Sequence, residues 1–363
     1  MRLIIDAHED IAWNMLTFGR DPLRSVAETR ARESADGAHN PQGEALLGYP
    51  DYMRGGVAVA FATLHAMPER RKLHDWETLT YATEQDAHRL AWAQADAYHR
   101  LVEDHAEKFQ LVEHHAALRQ VLETWSGDPP DTPRVGLVLL IEGADCVRQP
   151  EELHEWYATG VRIIGPAWAG TRYSGGTREP GPLTSDGYRL LDVMADLGMM
   201  LDLSHMAEEA YFQGLDRYPG TLFASHSNAR VLLDGSPVPD RHLSDAMIRR
   251  LAERDGVIGV VSYNRFLKGG WLPGDGRAIV TIDHLIRHID HICQLLGDAR
   301  HVGLGSDFDG GFGLDQAPAG LDSIADLRFI GDALERSGYP PADVDAILSG
   351  NWLRILRQGL PES

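Results

Sequence analysis

The chain has 363 residues, a formal net charge of −20 and two cysteines, a size that suits one large domain or two medium ones. The acidic balance argues against nucleic acid or an anionic membrane surface as partner, and no stretch is long and apolar enough to span a bilayer. Cys146 and Cys293 offer neither a disulfide framework nor a cysteine zinc site, and the first residues read as strand rather than leader peptide, so a reducing, cytoplasmic setting is expected.

Leu3 to Ile5 is a short apolar run that reads as a buried strand, and His8 and Asp10 follow at once. Side chains two apart in an extended chain point the same way, so this imidazole and carboxylate can face one point. The pair suits a divalent metal of borderline hardness, zinc above all. Alone, such a pair is more often a structural hydrogen bond, and its weight depends on what other strands deliver. Residues 17–55 are polar and irregular, with Gly37, Pro41, Gly43, Gly48 and Pro50. They predict a long loop with short helices, of a length that is often functional. Val57 to Ala62 is the second strand. Residues 75–122 read as helix, with Ala87, Leu90, Ala91, Tyr98, Leu101 and Val102 on one face. Asp128 to Pro133 ends that region. Val135 to Ile141 predicts a fully buried strand, as in a parallel sheet, and ends on Glu142-Gly143.

A helix over about 150–158 leads to the fourth strand, Val161 to Ile164. Residues 168–183 form a Gly-rich, aromatic loop. The next helix carries Leu190, Leu191, Met194 and Leu197 and closes at Gly198. Met199 to Leu203 and Thr221 to Ala224 are the fifth and sixth strands, ending on Ser204-His205 and Ser225-His226-Ser227. Ser244 caps a helix carrying Met247, Ile248 and Leu251. Val257 to Val261 is the seventh strand and ends near Tyr263-Asn264. A helix over about 281–296, closed by Gly297, precedes the eighth strand, His301 to Leu304, which runs into Ser306-Asp307-Phe308-Asp309-Gly310. Helices over about 322–337 and 341–357 finish the chain.

Eight short buried strands separated mostly by helices predict a parallel sheet. In a chain of this size that means a closed (β/α)8 barrel of TIM type, read as one domain over residues 1–363. A doubly wound open sheet is the runner-up, but no Gly-x-Gly-x-x-Gly follows a strand, so a dinucleotide site is unsupported. His8, Asp10, Glu142, His205, His226 and Asp307 all fall just past predicted strand ends, on the face where this fold builds active sites. Three imidazoles and up to three carboxylates can hold two metals bridged by a carboxylate, about 3.5–4 Å apart. A water shared by two zinc ions becomes hydroxide near neutral pH and can attack a carbonyl. A carboxylate must then take its proton and return it to the leaving amine. Asp307 is the candidate. Asp309 competes with it, and its other role is bracing the loop.

The chain has 17 histidines, so position decides more than number. His284, His288 and His291 have metal-like spacing, but their helix precedes the eighth strand and is expected outside the barrel. His114-His115 lies in a charged helical stretch and is expected to be solvated. Arg230 is expected in helix packing or an ion pair. Arg172 and Arg178, in the loop after the fourth strand, are candidates to meet a substrate anion.

In these blocks the sequence resembles the membrane (renal) dipeptidase family, the M19 metallopeptidases. Asp6-Ala7-His8-Glu9-Asp10 matches the family's Asp-x-His-x-Asp opening, and Glu142-Gly143 its Glu-Gly. Leu183-Thr184 through Leu201-Asp202-Leu203-Ser204-His205 is similar over a long stretch. So are Ser225-His226-Ser227-Asn228-Ala229-Arg230, Gly305 to Gly310 and Gly350-Asn351-Trp352-Leu353-Arg354. The resemblance implies a binuclear zinc barrel, with two Zn2+ per chain, that hydrolyses dipeptides. His8 and Asp10 would bind one metal with Glu142, which bridges to a second held by His205 and His226. Asp307 would move the proton of the bridging water. Arg241 matches the family's arginine for the substrate carboxylate, although the adjacent His242 stands where relatives often have asparagine. Trp168 stands where relatives usually place a histidine that meets the substrate carbonyl oxygen. Asn264, past the seventh strand, is a further candidate substrate contact. Mammalian members carry a lipid anchor and disulfides; this chain shows neither, like bacterial cytoplasmic relatives. Two alternatives stay open: an amidohydrolase for another small amide, such as an N-acyl amino acid or a β-lactam, and a metal-binding barrel without peptidase activity. The expected partner is a small dipeptide-like substrate, with no nucleic acid and no membrane; a homodimer is an open option.

Overall fold

Short runs rich in Val, Ile and Leu, bounded by glycine and polar turns, form eight strands: β1 (Ile4–Glu9), β2 (Val57–His65), β3 (Val135–Glu142), β4 (Val161–Gly165), β5 (Met200–Asp202), β6 (Leu222–Phe223), β7 (Ile258–Val260) and β8 (Val302–Leu304). The computed structural model describes residues 2–35, 40–127 and 133–362. Gly37 and the expected break at Asp128–Thr132 lie outside them. All eight strands are buried along their whole length, as a sheet covered on both faces must be.

The strands pair in parallel in the order β6-β5-β4-β3-β2-β1-β8-β7. A bridge between Ala224 and Ile258 joins β6 to β7, with the Gly259 N–H donating to the Ala224 carbonyl at 2.8 Å. The ring closes, so the fold is a (β/α)8 barrel and the open-sheet alternative falls. Inside it, Trp352 packs edge to face on Phe61 and Phe223, which tilt against each other, with centroids 5.3 to 5.7 Å apart. Asn351 Nδ2 donates to the Ala299 and Val302 carbonyls, which seats the C-terminal helix Asn351–Gly359 at the amino-terminal mouth of the barrel. The carboxyl mouth is left for chemistry.

Three local expectations change. The helix expected over 75–122 is two helices, Glu84–Asp104 and His115–Thr124, separated by the short strand Phe109–Leu111 beside the start of β3. The first begins at Glu84 because Thr83 accepts the Asp86 N–H. Phe109-Gln110-Leu111 alternates with period two and breaks the helical spacing. His114 is not a solvated side chain: its Nδ1 accepts the Ala117 N–H at 3.1 Å and caps the second helix. The Gly-rich stretch 168–183 contains a hairpin, Ser174–Gly176 with Glu179–Leu183. Within 17–55 lie the helices Val26–Ala35 and Tyr49–Gly55.

Candidate metal centre

The carboxyl ends of β1, β3, β5 and β6 bring His8, Asp10, Glu142, His205 and His226 to one point. Glu142 is the hub. Its Oε1 lies 3.2 Å from His205 Nε2, 3.2 Å from His226 Nε2 and 3.5 Å from His8 Nε2. None of these contacts has hydrogen-bond geometry; Glu142 Oε1 and His8 Nε2 are buried with no hydrogen-bond partner among the described residues. His205 Nε2 and His226 Nε2 are 3.0 Å apart. Donor atoms fall into three overlapping groups, each within 4.8 Å: His8, Asp10 and Glu142; Glu142, His205 and His226; His8, His226 and Asp307. Buried polar atoms without partners are costly and need an explanation. Lone pairs of imidazole and carboxylate converging in this way fit a borderline divalent cation such as zinc.

The surrounding shell orients the rings. The Ser225 hydroxyl donates to Asp202, so toward His226 it must accept, and His226 Nδ1 lies 2.7 Å away. The proton is therefore on Nδ1, and the Nε2 lone pair faces the centre. His8 stacks on His226 with centroids 3.6 Å apart, its Nδ1 3.4 Å from the same hydroxyl. Thr177 Oγ1 lies 3.1 Å from His205 Nδ1. Burial, helped by the Arg241 charge, pushes His205 down to about 3. Burial and the neighbouring His8 and Arg241 charges push His226 well down too. Both rings are neutral at neutral pH, the form in which an imidazole offers its lone pair to a metal. Burial lowers His8, but Glu142, Asp10 and Asp307 outweigh it and raise His8 to about 9. Burial alone would raise Glu142; His8, His205 and His226 hold it well below the usual carboxylate range.

Asp307 joins the group from the end of β8. Burial pushes its carboxyl well above the usual range, with Asp10 and Glu142 adding to the rise against the pull of His8. Its φ of 60° and that of His205, 64°, lie in the left-handed region, strain of the kind found at functional sites. A Cβ on Gly310 would stand 2.1 Å from Asp307 Oδ1 and 2.8 Å from Asp10 Oδ2, so only glycine lets the two carboxylates approach. Asp309 is committed elsewhere. It accepts the Leu46 and Leu47 N–H groups and pairs with Arg20 at 3.2 Å, bracing the long loop after β1.

A cavity of about 260 Å³ opens over the centre, and Trp168 and Arg241 are in its wall. Arg241 is 2 % exposed, held by the His226 carbonyl at 2.7 Å and Ser227 Oγ at 3.2 Å, while its buried Nε has no partner among the described residues. Trp168 lies between His65 and His205, 5.2 and 6.0 Å between ring centroids. Asn264 is not brought to the cavity. It is fully buried and its amide donates to the Ala317 carbonyl, while its neighbours Tyr263 and Arg265 line the wall instead. His288 is buried between the Ala229 N–H and the Leu267 carbonyl, and His291 pairs with Asp245 at 2.8 Å, both away from the centre. Arg230 pairs with Glu208. Arg172 is bound to Glu84 and Asp186, whereas Arg178 reaches the cavity.

Sequence reasoning missed His65, Thr177, Ser225 and Asp202. His65 ends β2, three residues beyond the expected end of that strand, in register with Glu142. Its Nδ1 lies 3.1 Å from Glu142 Oε2. Its signal was available: a histidine two positions after Thr63 on the same strand. Thr177 arrives through the hairpin after β4 and carries no sequence signal.

A family model described as membrane dipeptidase (peptidase family M19) matches residues 2–360. An uncharacterised protein from the pqqA 5′ region of Klebsiella pneumoniae is 36% identical over 233 residues, 61% of this chain and 82% of that protein. An uncharacterised dipeptidase of Schizosaccharomyces pombe is 32% identical over 235 residues, 62% of this chain but 53% of its own length. Among solved structures, a metallo peptidase from Rhodobacter sphaeroides, liganded with a phosphinate mimic of the dipeptide L-Ala-D-Ala, superposes with a TM-score of 0.78. It is 23% identical, covering 99% of both chains. No helix among the described residues is long and apolar enough to cross a membrane.

Proposed function

The chain belongs to the membrane dipeptidase family, the M19 metallopeptidases, and from that membership and the converging side chains we propose that it hydrolyses dipeptides at a pair of zinc ions. The observation that carries this is Glu142: a buried carboxylate oxygen facing three imidazoles without a hydrogen bond. His8 and Asp10 would hold one ion, His205 and His226 the other, with Glu142 shared. When bound, such a pair supplies the Lewis acidity that makes a water acidic near neutral pH.

The chain's own groups do the rest. Asp307, facing the same point, takes the proton of the attacking water and returns it to the leaving amine nitrogen. Arg241, its Nε unpartnered, grips the substrate carboxylate with its fork. Trp168 packs against the substrate beside the scissile bond and offers only one N–H donor. A cavity of about 260 Å³ is just below the range of about 300–1,000 Å³ usual for ligand pockets, which suits two residues rather than a long peptide.

The test is a library of L-X-L-X and L-X-D-X dipeptides with zinc-loaded protein. Amino-acid release that a chelator abolishes, with C-terminal amides turned over poorly, is the expected result. Zinc-loaded, folded protein that cleaves no member would refute the reading.

A further inference from the structure

We infer that the preferred substrate carries a second carboxylate, on the side chain of its C-terminal residue: a dipeptide ending in aspartate or glutamate. The inference rests on the dipeptidase reading and names the substrate class of that site. Asp and Glu outnumber Lys and Arg by 54 to 34 in this chain, so carboxylates to neutralise a guanidinium are plentiful. Outside the cavity they do so: Arg70 pairs with Glu179 at 2.8 Å, and Arg172 pairs with Glu84 and Asp186.

Four arginines line the cavity wall. Arg71 is neutralised by Glu179 at 2.6 Å, whereas Arg241, Arg265 and Arg178 make no ion pair among the described residues. Arg241 is held only by neutral acceptors. Arg265 makes no side-chain hydrogen bond among the described residues, and its Nε is buried without a partner. Glu77, in the same wall, is already occupied by the Leu73 and His74 N–H groups at 2.6 and 2.7 Å. The other lining carboxylates, Asp10, Glu142 and Asp307, belong to the metal centre.

Arg241 and Arg265 meet in the wall at Phe266, which lines the cavity too. The Arg241 guanidinium sits 5.4 Å from the Phe266 ring centroid, next in sequence to Arg265. Tyr263, also in this wall, packs on Phe266 with ring centroids 4.8 Å apart. One carboxylate satisfies Arg241. Arg265, with Arg178 at the mouth, then faces the side chain of the residue that carries that carboxylate. A neutral side chain leaves a buried guanidinium atom unpaired; an acidic one pairs it.

The experiment compares isosteric substrates that differ only in charge: Ala-Glu with Ala-Gln and Ala-Asp with Ala-Asn, in both configurations of the second residue. Hydrogen bonds to charged groups predict a preference in kcat/KM of about 10–100-fold for the acid member, falling with added salt. In Arg265→Gln the acid-to-amide ratio should drop toward one, and Arg265→Lys should keep part of it. Arg178→Gln, at an exposed position, gives a smaller drop without risk to folding, which thermal unfolding checks for all three variants. Equal turnover of acid and amide members by the parent overturns the inference and leaves the dipeptidase reading standing. So does an unchanged ratio in folded Arg265→Gln. Hydrolysis of no dipeptide overturns both.

Discussion

Ser225 Oγ lies 2.7 Å from His226 Nδ1 while its proton goes to Asp202, so one hydroxyl fixes which nitrogen of that ring faces the centre. Asp202 is fixed in turn by the Ser204 and Ser225 N–H groups, both at 2.9 Å. Ser225→Ala should leave the fold intact and weaken zinc binding by about 10–100-fold, as removal of such an orienting partner usually does. Competition with a chelator of known affinity measures it. Unchanged affinity in the variant would show that the ring needs no such anchor.

Much of this cluster was legible because the barrel puts its polar side chains directly after apolar runs. Leu3 to Ile5 announces His8 and Asp10, and Val135 to Ile141 announces Glu142. The polar Thr63 made β2 read three residues short, and that hid His65. Asn264 was misread because a single helical turn, Asn264–Leu267, begins there and turns its side chain inward to Ala317 while Arg265 takes the wall. The split at Phe109–Leu111 was hidden because three residues are too few for a period to stand out between two amphipathic helices. His242 is fully buried with both ring nitrogens unpartnered among the described residues, and nothing in the structure explains it.

Trp168→His puts an imidazole where an indole now lies between His65 and His205. A group that can become a cation stabilises the oxyanion of a tetrahedral intermediate better than one N–H does. Turnover of simple dipeptides should rise, by up to about 10²–10³ in kcat, the usual effect of one such donor. A folded variant no faster than the parent would mean that Trp168 does not limit the reaction.

His288 predicts an acid limb in stability. Burial pushes its folded pKa down to about 4, against about 6.5 in the unfolded chain. Between those values the unfolded chain holds a proton that the folded chain does not. The stabilisation is complete above about pH 6.5 and declines by up to about 1.4 kcal/mol per pH unit as pH falls toward 4. His288→Gln can still accept the Ala229 N–H and should flatten that limb by about one proton relative to the parent. Urea unfolding at a series of pH values, on parent and variant with the same metal loading, reads the difference. Parallel limbs would place the titration elsewhere.

Metal content tests the account most directly. Elemental analysis of protein purified from zinc-supplemented culture should give two equivalents per chain. Glu142→Gln, which removes the shared oxygen's charge between the two ligand groups, should hold at most one and lose dipeptide hydrolysis. A parent protein that is fully active with a single equivalent, or a Glu142→Gln variant that keeps two metals and parental turnover, would contradict it.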